Sequence, residues 1–258
     1  MSEKRRYFIE LAYNGGRFHG WQIQPNAVTV QEVLEKALST ILREKTETTG
    51  CGRTDTGVHA TLFFAHFDSS SVLPLTPSFL TGINAVLPAD IAIRRVLPVA
   101  YNAHARFDAV SRSYEYHIHH RKDPFLNGFS WFFPYELDIA AMNKAAAIIP
   151  GYTDFSCFSK SNTQVFTNNC KVTTSLWRAT DHGMVFHITA DRFLRNMVRA
   201  IVGTLIAVGK GTIKADDVHA VIQSKNRSQA GASVPACGLY LTDIKYPYVQ
   251  MTDLTTEI

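Results

Sequence analysis

The sequence has few of the features that would place the protein outside the cell or in a membrane. Its four cysteines, Cys51, Cys157, Cys170 and Cys237, are widely spaced and include no Cys-x-x-Cys pair. This usage is typical of a reduced cytosolic protein and argues against a zinc site. No stretch approaches the apolar run of a membrane span, and the first residues lack the apolar segment of a signal peptide. We therefore expect a cytoplasmic protein without a membrane partner.

Excess charge of one sign is also scarce. The 258 residues carry a formal net charge of +4, which permits a nucleic-acid partner without requiring one. Hydrophobic residues make up 46% of the chain and charged residues 19%, as in ordinary globular proteins. A chain of this length forms one large domain or two small ones, and it buries a core without disulfides.

Periodic patterns in the first half predict alternating strands and helices. Residues 7–13 alternate as a half-buried strand, with Glu10 on the solvent-facing side. Thr29 and Glu32 match a capping box, and the helix that follows carries an apolar stripe as far as Leu42. Three further elements complete this half: a strand at 62–68, a short helix at 78–85 and a strand at 91–99.

The second half repeats this plan. Asp138 is positioned to cap a helix that runs through Ile149. The other predicted elements are strands at 113–120, 173–180, 184–190 and 239–246, and helices at 191–211 and 215–224. No linker separates the halves, and the last dozen residues are expected to fray. We expect two α+β halves fused through a shared sheet, with the boundary near residues 105–112.

The predicted strand SYEYHIHH contains three histidines within four positions, which raises the question of a metal site. The strand period puts His117 and His119 on one face with Glu115, and His120 on the opposite face. A solvated strand face explains this pattern better than a metal site does.

Gly50 to His59, with the sequence GCGRTDTGVH, brackets one arginine and one carboxylate with three glycines. Glycine allows left-handed backbone and close approach by another molecule. Such a turn can present Asp55 to a ligand while Arg53 contacts something anionic. The alternative is an ordinary hairpin loop whose Arg and Asp are solvated.

Three arginines interrupt the otherwise apolar pattern of residues 191–211. Arg192, Arg195 and Arg199 fall on a single stripe of the helix predicted there. An unpaired buried charge is costly, so these groups need an anion such as Asp55 or a phosphodiester backbone. Alternatively they extend to the surface and are solvated, an explanation that suits Arg199 least because it lies deepest in the apolar run.

The loop GCGRTDTGVH resembles the signature GAGRTDAGVH of the TruA family of tRNA pseudouridine synthases. Five further blocks resemble family blocks in the same order and together cover nearly the whole chain: FHGWQIQPNAVTVQEVLEKAL, NAVLPADIAI, NAHARFDAVSRSYEYHI, FLRNMVRAIVGTL and GLYLTDIKYP. On these matches the sequence is identified as a member of that family.

The resemblance implies specific roles. Asp55 corresponds to the catalytic nucleophile, Tyr114 of the R-x-Y motif to the residue that stacks on the target base, and Arg199 to the partner of the catalytic aspartate. The remaining candidates for contact with substrate are Arg53, His104, Arg106 and Arg195. The family acts as a homodimer, without cofactor or metal, on uridines of the tRNA anticodon stem-loop.

The family fold consists of two RRM-like α+β halves with mainly antiparallel sheets, related by a pseudo-twofold axis around a central cleft. Applied to this chain, it predicts an N-terminal unit over 1–108 carrying the Asp loop. It also predicts a C-terminal unit over 109–248 carrying the Tyr and Arg residues, and a tail over 249–258.

Two departures and two rival functions remain at this point. Cys51 and Thr56 replace alanines usual in the motif and could alter loop packing or make Cys51 sensitive to oxidation.

Asp55 could attack the sugar C1′, abstract a sugar proton or add to the base. The rivals are a non-catalytic RNA-binding module or chaperone, and a metal-dependent hydrolase using Asp55, His59 and His66.

Overall fold

One mixed sheet of nine strands runs through the residues that the computed structural model describes, 4–160 and 166–249. The first half contributes β1 (Arg5–Tyr13), α1 (Val30–Leu42), β2 (Thr48–Gly50), β3 (His59–Ser69), α2 (Pro77–Val86) and β4 (Ile91–Pro98). The second half contributes β5 (Ser111–His119), β6 (Trp131–Phe132), α3 (Ile139–Ala146), β7 (Val172–Thr180), β8 (Gly183–Ala190), α4 (Met197–Gly209), α5 (Asp217–Gln223) and β9 (Leu239–Lys245). Of these fourteen elements, only the short strands β2 and β6 were not predicted.

The helices begin where side chains satisfy their first backbone N–H groups. Thr29 accepts from the backbone N–H of Glu32 at the start of α1, and Asp138 accepts from Ala141 at the start of α3. Both caps confirm predictions from the sequence. Helix α3 ends at Ala146, earlier than predicted, and a 3₁₀ turn occupies Ile149–Gly151.

The two halves have the same strand order. In the first, β1 lies between β4 and β3, with β2 beside β3; in the second, β5 lies between β9 and β8, with β7 beside β8. If the two-residue strand β6 is left out of the count, each half thus places its first strand next to its last and its third. Pairing is antiparallel except for β3 with β9 and β5 with β6. The predicted fold of two repeated α+β halves is confirmed.

Strand β9 joins the halves. It pairs in parallel with the start of β3, where His59 is opposite Tyr240 and Ala60 is opposite Leu241, and antiparallel with β5 on its other side. Residues Thr48 to Gly50 of β2 pair only with the far end of β3. The start of β3 therefore remains available for β9. The loop that precedes β3 therefore lies at the junction of the halves.

The buried apolar residues form two cores, one in each half. The first contains Phe8, Phe63 and Phe64 and takes in Leu241 of β9; the second contains Phe186 and Ile201 and most of α4. Division into units 1–108 and 109–248 stays a prediction. Apart from Val249, the predicted tail lies outside the described residues.

Three details differ from the sequence predictions. Strand β1 is buried on both faces, since Phe8 packs against the Tyr246 ring and the Glu10 carboxylate pairs with Arg95. His119 was placed on a solvated face, but it is only 3% exposed because the Phe132 ring lies against it.

Among the described helices, none has the length and apolar character that crossing a bilayer requires.

The third difference concerns the predicted helix over 191–211. Helix α4 begins only at Met197, because Asn196 takes a left-handed conformation with φ of +67°. Asn tolerates this conformation better than most residues. Arg192 and Arg195 therefore lie in an irregular segment before the helix, and the predicted single stripe of three arginines is wrong.

Candidate active site

The Gly-rich loop between β2 and β3 packs against residues 15–21. A Cβ atom on Gly15 would lie 1.9 Å from the Val58 carbonyl oxygen, and one on Gly20 would lie 2.4 Å from that of Thr54. These two positions therefore need glycine. Trp21 also donates its backbone N–H to the Thr54 oxygen at 3.2 Å. The segment thus fixes the loop on both sides of Asp55.

Internal hydrogen bonds set the conformation around Asp55. The Thr54 hydroxyl lies 2.9 Å from the Tyr13 hydroxyl in a buried contact, and the Asp55 carbonyl accepts from Val58 N–H at 3.1 Å. Gly57 occupies this turn with φ of +78°. The Asp55 side chain remains 28% exposed, so a ligand can reach it.

Two arginines of the second half approach the Asp55 carboxylate. Arg195 Nε lies 3.6 Å from one oxygen, and Arg199 Nη1 lies 3.9 Å from the other. Arg199 also donates from Nε to the Val234 carbonyl oxygen at 2.7 Å. Its side chain is 21% exposed against 60% for Arg195, so solvent screens the Arg195 pair more strongly. The sequence proposed Asp55 as an anionic partner for these arginines, and the structure brings them together.

Tyr114 lies where the two cores meet and packs against both. Its ring contacts Phe193 edge-on, with 5.0 Å between ring centroids. Burial raises the pKa of the Tyr114 hydroxyl well above its usual value, and the nearby Cys51 and Asp55 add to the effect. The side chain therefore offers a neutral aromatic surface close to the carboxylate.

Arg53 and Arg106 are exposed near this site. The pKa of Arg106 is lowered, first by partial burial and then by the charges of Arg53, Arg112 and Arg192. Arg53, Arg112 and Arg192 therefore lie close enough to Arg106 to repel its charge. An anion bound beside these arginines would relieve the repulsion.

His104 holds its own turn rather than contacting Asp55. Its Nδ1 accepts from the backbone N–H groups of Arg106 and Phe107, and its ring contacts that of His66. Burial lowers the pKa of His104, with a further contribution from the positive charges of Arg6 and Arg106. In the described residues its contacts are those of a residue that shapes the turn carrying Arg106.

The two departures in the loop differ in environment. Thr56 is exposed, whereas Cys51 is 1% exposed and belongs to the first core. Burial raises the pKa of the Cys51 thiol to about 12. Because the thiolate is the reactive form, this environment disfavours oxidation of Cys51.

The residues of the rival hydrolase site have other partners. His59 Nδ1 accepts from Gly15 N–H, and His66 Nδ1 accepts from Ala105 N–H. Within residues 4–160 and 166–249, no group of three or more His, Cys, Asp or Glu side chains is arranged to hold a metal ion.

Sequence reasoning missed two residues that shape the site. Phe193 packs on Tyr114, and Arg112 donates to the carbonyl oxygen of Cys51 inside the loop. The only sequence signal for Arg112 was its place in the R-x-Y motif. Phe193 opens the matched block FLRNMVRAIVGTL, but it was not singled out because it was predicted to be part of a continuous helix.

Comparison of the sequence with known proteins identifies the family of the chain. Residues 145–247 match a family model described as tRNA pseudouridine synthase. A Porphyromonas gingivalis protein named tRNA pseudouridine synthase A is 51% identical over 94% of this chain and 97% of its own length. Proteins of the same name from Parabacteroides distasonis and Bacteroides fragilis are 49% and 48% identical over 94% of this chain, covering 96% and 97% of their own lengths. These relatives cover 94% of the chain at about 50% identity, and the chain belongs to the tRNA pseudouridine synthase A family.

Proposed function

We propose that the protein isomerises uridine to pseudouridine in tRNA, with Asp55 as its nucleophile. Relatives that are about 50% identical to this chain over 94% of its length are named for that activity. The observation that supports the site is the approach of Arg195 and Arg199 to the two oxygens of Asp55.

The reaction requires the target base to leave its stack. It breaks the N1–C1′ bond and joins C5 to C1′; C5 loses a proton and N1 gains one. The bonds and protons balance with no oxidant, reductant or water consumed, so we propose no cofactor and no metal. Flipping the nucleotide out of the helix brings it to a carboxylate in a recessed loop.

Each cleft residue has a separate proposed task. Arg199, held by Val234, keeps the Asp55 carboxylate in position. Tyr114 stacks on the extruded uracil, a contact worth about 1–3 kcal/mol per base. The exposed guanidinium groups of Arg53, Arg106 and Arg195 bind tRNA phosphates, and His104 supports the turn that carries Arg106.

The finer aspects of this function rest on family resemblance. We propose that the target uridines lie in the anticodon stem-loop, that the protein works in the cytoplasm and that it is a homodimer. Light scattering after gel filtration measures the last point, and a mass of one chain would contradict it. Chemical mapping of pseudouridine in a tRNA pool identifies the target positions.

Substitution of Asp55 tests the catalytic proposal. Asp55→Asn keeps the shape of the side chain but removes the nucleophile, so tritium release from C5-labelled uridine in tRNA should fall by about 10⁴-fold or more. Asp181→Asn, in the exposed turn between β7 and β8, is the matched control and should retain activity. Gel shifts should show that both variants still bind tRNA.

Two results would overturn the proposal. Normal turnover by Asp55→Asn would remove Asp55 from the nucleophile role. A wild-type protein that binds tRNA and makes no pseudouridine would favour the non-catalytic RNA-binding module.

A further inference from the structure

Arg112 donates to four backbone carbonyl oxygens. Nη1 donates to Ala109 at 2.9 Å and to Asp191 at 2.7 Å; Nη2 donates to Cys51 at 3.1 Å and to Arg106 at 2.6 Å. Guanidinium is suited to this role because its N–H donors are fixed in one plane.

The four acceptors belong to separate parts of the candidate site. Cys51 begins the loop that carries Asp55, and Asp191 begins the irregular segment that carries Arg195. Arg106 and Ala109 lie in the turn before β5, which presents the exposed Arg106 side chain. One side chain therefore connects the nucleophile loop, a phosphate-binding turn and the segment that brings arginine to Asp55.

Arg112 is itself well fixed. Its backbone lies in β5 between two partner strands, opposite Ala190 of β8 and Ile244 of β9. The Asp191 segment is fixed locally as well, since the Asp191 carboxylate accepts from the backbone N–H groups of Lys171 and Arg192, both at 2.7 Å. Arg112 thus links the loops to the centre of the sheet.

The hydrogen bonds of Arg112 go to neutral groups, while its charge lies near other arginines. Its four acceptors are neutral carbonyls rather than carboxylates, and its charge contributes to the lowered pKa of Arg106. A cation at this position therefore adds repulsion among arginines. What Arg112 supplies is several directed hydrogen bonds from one group.

We propose that Arg112 is a positioning residue that holds the Asp55 loop and the Arg195 segment in the relative geometry the reaction needs. The role rests on the proposed function, in which Asp55 and the arginines act together across the two halves. Displacement of reacting groups by about 1 Å costs on the order of 100-fold in rate.

Arg112→Lys and Arg112→Met separate geometry from charge. Lysine keeps the charge but cannot reproduce the planar fork, and methionine keeps much of the length without any donor. We expect kcat on tRNA to fall about 100-fold in Arg112→Lys and at least as far in Arg112→Met, with a much smaller change in KM. A kcat of Arg112→Lys equal to that of the wild type, or a loss confined to KM, would overturn the proposal.

Hydrogen exchange provides a readout that does not depend on activity. Loss of the fork should speed amide exchange in residues 51–58 and 191–196 together, at a temperature where each variant is folded. Arg95→Lys is the control, because Arg95 pairs with Glu10 on the β1–β4 side of the sheet, and it should leave exchange in both segments unchanged. Unchanged exchange of both segments in Arg112→Lys would also contradict the proposal. A wild-type protein without synthase activity would refute the proposed function, while the exchange experiment would still decide whether Arg112 holds the loops.

Discussion

Arg199 Nη1 lies 3.9 Å from Asp55 Oδ2, and the same guanidinium donates from Nε to the carbonyl oxygen of Val234. The second contact sets the direction from which the first is made. Asp55 belongs to the loop before β3 and Arg199 to the first turn of α4, so the pair spans the two halves. The proposed nucleophile and its cationic partner therefore depend on correct assembly of the halves.

Arg199→Leu should lower the rate far more than the affinity. Removal of one preorganised donor from an active site typically costs about 10²–10³-fold in kcat, while the exposed arginines proposed to hold phosphates remain. Single-turnover tritium release and filter binding measure the two effects. Arg195→Gln should lose less rate, because the Arg195 side chain is 60% exposed and its pair with Asp55 is screened by solvent. An unchanged rate in Arg199→Leu would contradict its pairing role.

Gly20→Ala should reduce activity by displacing the loop that carries Asp55. Gly20 has φ of +85°, and an added Cβ would lie 2.4 Å from the Thr54 oxygen, next to Asp55. We expect a lower melting temperature and, below it, a reduced kcat. Gly82→Ala is the control, because a Cβ on Gly82 meets nothing within 4 Å in helix α2. Alanine there should stabilise the helix by up to about 1 kcal/mol and leave kcat unchanged. A wild-type kcat in Gly20→Ala would show that the loop tolerates the displacement.

Arg106→Gln should weaken tRNA binding in a salt-dependent manner. One lost phosphate contact reduces the slope of log K against log salt concentration by about 0.7–0.9. Dissociation constants measured over a series of KCl concentrations give the slope. Arg178→Gln, on the outer strand β7, should leave it unchanged. Equal slopes for Arg106→Gln and the wild type would remove Arg106 from the phosphate contacts.

His66 should make the protein less stable as the pH falls. Burial lowers the pKa of His66 to about 4, with further contributions from the charges of Arg6 and His104, against 6.5 for an unperturbed histidine. Between these values the unfolded chain binds more protons than the native one, so lowering the pH favours unfolding. This contribution to stability is complete above pH 6.5 and is lost as the pH falls towards 4.

His66→Gln tests this dependence, because glutamine keeps an acceptor but does not titrate. Urea unfolding at pH 7.5 and pH 5 should show a smaller loss of stability for the variant than for the wild type. The change in unfolding free energy between the two pH values can be compared even if the substitution lowers stability at both. Identical pH dependence in the two proteins would exclude His66 as the source.

Local signals in the sequence were sufficient for most elements of the fold. Thr29 and Asp138 were predicted as helix caps from their side chains, and both accept from the backbone N–H three residues on. The alternating run at residues 113–120 was predicted as a strand, and β5 occupies Ser111–His119. These predictions succeed because capping and periodicity depend on residues within one or two turns of each other.

The candidate site was predicted in part. The Gly-rich motif and family resemblance selected Asp55, Tyr114 and Arg199, but the reason given for Arg195 was a helical stripe that does not exist. The left-handed Asn196 ends that pattern, and such a conformation is decided by its surroundings as well as by the Asn side chain. Arg195 reaches Asp55 from an irregular segment instead.

The sequence by itself determined most of the elements, the repeated plan and the motif that contains Asp55, because each depends on neighbouring residues or on a matched pattern. Only the tertiary structure decided that β9 joins the halves at His59 and Tyr240, and that Glu10 is buried and pairs with Arg95. It also decided the four acceptors of Arg112, which are the carbonyl oxygens of Cys51, Arg106, Ala109 and Asp191. Each of these contacts depends on how strands and loops from different parts of the chain assemble. A backbone carbonyl is present in every residue, so a hydrogen bond to it does not depend on the side chain of the accepting residue. The acceptors therefore leave no pattern in the sequence.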